Sequence, residues 1–100
     1  MIYLDHAATT PVPAEVARAV YDTLTAGWGN PSSQYPAGRQ AKAAVDAARG
    51  TIADALGCKA EEFIFTSCGS ESDNWAITKG AESMMRKGRH IISSAVSGLS

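Results

Sequence analysis

One hundred residues with 45% hydrophobic content make one small domain or a piece of a larger one, with enough apolar residues for a core. The formal charge of −1, with acidic and basic residues mixed, argues against a surface built for nucleic acid or membrane. No basic, apolar leader follows Met1, so a cytoplasmic protein is expected, with Cys58 and Cys68 reduced and neither a disulfide framework nor a metal site.

Ile2-Tyr3-Leu4 is a short apolar start, closed by the polar run from Asp5 to Thr10 and by Pro11. Pro13 suits the first position of a helix, where its missing N–H costs nothing. Val16, Val20 and Leu24 then recur at helical spacing, and the helix is expected to end near Ala26 and Gly27. Trp28 to Gly38 is the longest loop signal, with two glycines flanking a tryptophan and two prolines that oppose regular structure. Such a loop is either functional or a plain connector with Trp28 tucked into the core. Helical spacing returns at Arg39, with Ala41, Val45, Ala48, Ile52 and Leu56 on one face. Gly50 falls inside this pattern, where a kink or close packing is expected, and Gly57 supplies the stop.

The stretch from Phe63 to Asn74 reads as a strand running through a tight turn into a helix. Phe63 to Thr66 are aromatic or β-branched, as a buried strand prefers. Cys68 and Gly69 are small, and Ser70 with Asp73 resembles a capping box with Asp in the usual Glu position. The helix is expected from about Glu71 to Lys87, stopping at Gly88. Its first N–H groups, with the hydroxyls of Ser67, Ser70 and Ser72 beside them, form a ready place for a phosphate or carboxylate. The alternative is that the serines only cap the helix. Neither the phosphate-loop pattern, which needs a lysine here, nor the Gly-x-Ser-x-Gly nucleophile turn is present.

His90 to Val96 reads as a second strand, and strand, helix, strand implies a parallel pair with a right-handed crossover. In open α/β sheets ligands bind beyond the carboxyl ends of the strands, next to Ser67–Ser70. Two strands with one crossover helix cannot cover both faces of a parallel sheet, so the architecture reads as incomplete.

Three motifs, in order, carry a resemblance: Ile2 to Pro11; Gly29-Asn30-Pro31-Ser32-Ser33 with Gly38-Arg39; and Phe65 to Asn74. Together, over about residues 2 to 96, they resemble the N-terminal part of cysteine desulfurases of the NifS/IscS type, class V aminotransferase-like enzymes of fold type I. The resemblance implies an α/β fold, with helices plus the first strands of a mainly parallel sheet. It implies residues 1–38 as N-terminal segment, first helix and entrance loop, and 39–100 as a helix and the start of the cofactor-binding domain. It also implies pyridoxal phosphate as cofactor, its phosphate held by the Gly69 N–H and by the N–H and hydroxyl of Ser70. The usual family turn is Thr-Ser-Gly-Gly/Ala-Thr-Glu-Ser. Here Ser70 replaces the threonine and keeps the hydroxyl, while Cys68 replaces a glycine and is expected to strain or narrow the turn. His6, Ala7, Ala8 and the Asn30-Pro31-Ser32 loop are implied near the active site, the loop also near a homodimer interface.

The activity implied is conversion of L-cysteine to L-alanine, with persulfide passed to a sulfur acceptor or iron–sulfur scaffold protein. Alternatives are a truncated non-catalytic chain or another class V enzyme such as a selenocysteine lyase. No catalytic residue is assignable: the Schiff-base lysine, the ring-stacking histidine and the sulfur-accepting cysteine have no counterpart. Ser97 and Gly98 stand where the family has the glutamate and the stacking histidine. Cys68 is set aside as sulfur acceptor because it lies in the phosphate turn, and its thiol is expected to be buried or inert. Lys79 is mid-helix and Lys87 at the far helix end, while His90 begins a strand at the end opposite the site. Accordingly, pyridoxal phosphate, borohydride reduction and digestion should yield no pyridoxyl-lysine within residues 1–100; such a peptide at Lys79 or Lys87 would contradict this assignment.

Overall fold

Proline and glycine punctuate the helices of this chain. In the computed structural model, which describes residues 1–95, α1 spans Ala14–Ala26, α2 spans Pro36–Leu56 and α3 spans Gly69–Met84, with a 3-10 turn at Ala60–Glu62. Pro13 sits one position earlier than expected, at the N-cap of α1, and its carbonyl accepts the N–H groups of Val16 and Ala17, each at 3.0 Å. Pro36 takes the first helical position of α2, so that helix starts three residues before Arg39 and shortens the loop. A proline expected to oppose regular structure thus begins a helix instead, because the first turn needs no N–H from it. Gly57 ends α2 in the left-handed region at φ 71°, its N–H near the Ala53 and Asp54 carbonyls.

The chain divides into two compact units, Met1–Phe63 and Ile64–Ser100, each described on its own terms. In the first, α2 packs against the 3-10 turn. Ala53 is 1% exposed and Ala41 8%, so the burial rests on small side chains. The Arg49 guanidinium reinforces that packing by donating to the Phe63 carbonyl from fourteen residues away. α2 runs unbroken through Gly50, where the space around the missing side chain is open; the close packing expected there is absent. On α1 the expected apolar stripe is present but unburied: Val16, Val20 and Leu24 line an open hollow with Ala19, and Leu24 is 74% exposed.

The connection between α1 and α2 is the most tightly built part of the first unit. Asn30 forms an Asx turn, its Oδ1 accepting the Ser32 N–H at 2.9 Å while its carbonyl accepts the Ser33 N–H at 2.9 Å. Arg39 Nε donates back to the Gln34 carbonyl at 3.0 Å. Gly38 is buried against this turn, where a Cβ would lie 2.7 Å from the Asn30 carbonyl oxygen and closer still to that of Ser33. A Cβ on Gly29 would likewise run into the Ala37 carbonyl. Trp28 is exposed rather than tucked into a core.

Among the described residues of the second unit, no strand ladder forms where strands were expected. Ile64 to Thr66 and the described residues 90–95 carry no ladder. Phe63, at the preceding boundary, is extended at φ −102° and ψ 129°, with its N–H given to the Ala60 carbonyl and its carbonyl accepting from Arg49. An isolated pair of strands buries too little apolar surface to hold itself together; a third strand or a covering layer is required. The helix between them forms, since its hydrogen bonds are internal. α3 starts two residues before Glu71 and ends at Met84, whose carbonyl accepts the Lys87 N–H at 2.8 Å and the Gly88 N–H at 3.3 Å. Val96, Ser97 and Gly98 lie outside the described residues.

Two glycines make opposite demands on a substitution. Gly57→Ala is expected to cost about 1 kcal/mol, the strain of a Cβ at positive φ. Gly38→Ala should cost more, because the Cβ meets two backbone oxygens that cannot rotate away. Chemical denaturation of both variants in the native-length protein checks the order; Gly38→Ala as mild as Gly57→Ala would mean the loop opens readily.

Candidate functional site

Residues 66–74 of the second unit concentrate its polar chemistry. Cys68 is the N-cap of α3, extended at φ −165° and ψ 171°. That backbone suits any residue, so the expected strain from a Cβ at this position is absent. Gly69 and Ser70 follow as the first two helical residues. The first intrahelical bond comes from the Ser72 N–H to the Cys68 carbonyl at 3.2 Å, so the N–H groups of Gly69, Ser70 and Glu71 precede the helix's own ladder. The space where a Gly69 Cβ would stand is open, with no atom within 4 Å. Ser70 is half-buried.

The expected Ser70–Asp73 capping box does not form. The carboxylate that reaches back belongs to Glu71, whose Oε2 accepts the Ser67 N–H at 2.8 Å and also the Ser67 hydroxyl. Glutamate has the extra methylene needed to reach past the N-cap, which aspartate lacks. A second tie pairs the hydroxyls of Thr66 and Ser72, and Ser72 Oγ also donates to the Cys68 carbonyl at 3.3 Å. Asn74 Nδ2 donates to the Ser70 carbonyl at 2.8 Å, a bond within the helix. Sequence reasoning missed the Ser67–Glu71 pair; the signal was the four-residue spacing, read past because Ser67 was counted only as a hydroxyl.

The electrostatics follow from these bonds. Glu71 is held below the usual carboxylate range by the Ser67 hydroxyl first and the Ser67 N–H second. Cys68 is exposed, not buried. Its thiol is pulled below its ordinary value, chiefly by the Glu71 backbone N–H and next by the Ser67 hydroxyl. One hydroxyl proton cannot serve both acceptors. The carboxylate is closer and charged, while Cys68 Sγ lies at 3.7 Å, which leaves the backbone N–H groups, that of Glu71 first and that of Ser70 after it, to lower the thiol.

The remaining sequence candidates lie in the first unit, along α3 or, for Lys87 and His90, beyond its end at Met84. Lys87 is therefore not at the helix end expected, and His90 begins no strand ladder. The Asp5 carbonyl accepts the Ala8 N–H at 3.0 Å, forming a turn across His6 and Ala7, and the His6 ring meets Tyr3 edge-on at 5.2 Å. Lys79 pairs with Glu82 at 2.8 Å along α3.

The class V aminotransferase family model matches residues 2–98. This chain belongs to that family. Among curated proteins it is 48% identical to a cysteine desulfurase IscS of Methanosarcina thermophila over 95% of the chain and 24% of that protein. It is 49% identical to cysteine desulfurase 2 of Trichormus variabilis over 96% of the chain and 24% of that protein. It is 48% identical to a selenocysteine lyase of Xenopus tropicalis over 81% of the chain and 19% of that protein. The chain therefore spans about a quarter of the length of the curated relatives it matches. Membership in a fold type I family supports an α/β class for a chain whose described residues are helical. Among those residues no helix is long and apolar enough to cross a membrane.

The lowered thiol has a direct readout. Because its pKa falls, Cys68 forms thiolate at lower pH, and the midpoint of its alkylation rate should lie below the ordinary thiol value of about 8.5. Ser67→Ala should move that midpoint little. Iodoacetamide labelling with peptide mapping checks both; a midpoint at or above the ordinary value would remove the N–H contact from this account.

Proposed function

We propose that this chain supplies the phosphate-binding turn of a pyridoxal-phosphate-dependent cysteine desulfurase. The observation that carries the reading is the Gly69–Ser70 start of α3, lying inside a family match that runs from residue 2 to 98. In this reading the phosphate accepts hydrogen bonds from the backbone N–H groups of Gly69 and Ser70 and from the Ser70 hydroxyl, at the positive end of the α3 dipole. The residues present fit that group. Gly69 brings no side chain into the open space beside it, Ser70 supplies a hydroxyl donor, and the nearby Glu71 charge is drawn onto Ser67. When bound, pyridoxal phosphate supplies the electron sink for amino-acid chemistry, and the protein supplies its grip and orientation.

The reaction proposed for the native-length protein is conversion of L-cysteine to L-alanine, with the sulfur leaving as a persulfide for an acceptor or iron–sulfur scaffold protein. A cytoplasmic homodimer is the form in which we place it. Residues 1–38 are read as its N-terminal segment, first helix and entrance loop, and 39–100 as a helix and the start of its cofactor-binding domain. The cofactor-linking lysine, the ring-stacking histidine and the sulfur-accepting cysteine are assigned to no residue of these hundred. A selenocysteine lyase is the second reading, kept because the Xenopus tropicalis relative is as similar as the desulfurases over the residues it shares.

Ser70→Ala should weaken pyridoxal phosphate binding by the native-length protein about tenfold, the loss expected for one hydrogen bond to a charged group. Unchanged affinity would sink the assignment of Ser70. Alanine release from L-cysteine against L-selenocysteine separates the two readings: turnover of both substrates supports the desulfurase, and turnover of selenocysteine alone supports the lyase.

A further inference from the structure

We propose that Glu71 is a positioning residue for the phosphate turn and that it acts through Ser67; this inference rests on the phosphate-site reading above. Glu71 is the third residue of α3, and Ser67 is the residue before its N-cap. Oε2 of Glu71 accepts both the backbone N–H and the hydroxyl of Ser67. An ordinary capping box ties the third helical residue to the N-cap itself. Here the tie reaches one residue further out, so residues 67–71 close into a ring that contains Gly69 and Ser70. Opening that ring would let the chain entering α3 rotate about the Ser67–Cys68 backbone and carry the first-turn N–H groups out of line.

A direct phosphate contact by this carboxylate is disfavoured by its charge, since one anion beside another repels. The two Ser67 donors hold the charge on the side of the incoming chain. The neighbouring tie of Thr66 and Ser72, with Ser72 donating to the Cys68 carbonyl, fastens the other flank of the N-cap. Glutamine keeps an oxygen that can accept from Ser67 and drops the charge, whereas alanine removes the clamp. The two variants therefore distinguish positioning from charge.

The experiment is pyridoxal phosphate titration of the native-length protein, freed of cofactor and followed by absorbance, with inorganic phosphate as competitor. Glu71→Ala should bind pyridoxal phosphate about tenfold more weakly, the effect of losing charge-assisted hydrogen bonds that order the site. Inorganic phosphate should weaken as competitor in parallel. Glu71→Gln should recover most of that loss. Ser67→Ala, which removes one of the two donors, should lose less than Glu71→Ala, and the double variant Ser67→Ala/Glu71→Ala should be no worse than Glu71→Ala alone. Equal losses in the alanine and glutamine variants, or additive losses in the double variant, would overturn the clamp. Strong binding by the wild type with Glu71→Ala unchanged would overturn this inference alone. Absence of pyridoxal phosphate binding by the wild type would overturn the phosphate-site reading and this inference with it.

Discussion

A helix begins with N–H groups that its own ladder cannot reach, and the start of α3 is organised around that deficit. Thr66, Ser67, Glu71 and Ser72 are spent on ordering the incoming chain rather than on capping those N–H groups directly. The Cys68 side chain makes no cap hydrogen bond, and Glu71, the acidic residue of the first turn, is folded back onto Ser67. This division of labour orders the turn without placing a side-chain cap on it. A helix capped by serine would instead give one of its first N–H groups a side-chain partner.

Local chemistry was legible in the sequence to the extent that it was self-contained. Val16, Val20 and Leu24 announced α1, and Gly57 marked the end of α2 through a backbone angle that other residues avoid. Those signals need no partner. The strands at Phe63–Thr66 and His90–Val96 were read from residue type, but a strand exists only in its ladder, and composition carries no information about whether the neighbour is present. The point at which a helix begins was the other blind spot. Ser70 and Asp73 had the spacing of a box, yet the helix begins two residues earlier with Cys68 as N-cap, so Glu71 holds the third helical position that reaches back. Pro36 was misread for a related reason, since one residue type can end a helix or open one according to the position it occupies.

Apolar side chains that were expected inside remain outside in the described residues. Val20, Leu24, Ile64 and Phe65 are exposed, and the burial achieved belongs to Ala41 and Ala53. Alanine buries little area, so these contacts contribute little of the free energy that ordering a chain requires. The helices hold their shape through internal hydrogen bonds and caps, whereas a sheet depends on distant partners, and no strand ladder is present among the described residues.

The extended backbone at Cys68 has an evolutionary reading. Where a turn demands positive φ, glycine is fixed by geometry and the position cannot drift. At φ −165° no such lock operates, so residue 68 can be exchanged without refolding the turn. The path of the chain through this turn therefore does not depend on which residue stands at 68. The start of α3 can carry new side-chain chemistry at residue 68 while the Gly69–Ser70 backbone behind it keeps its course.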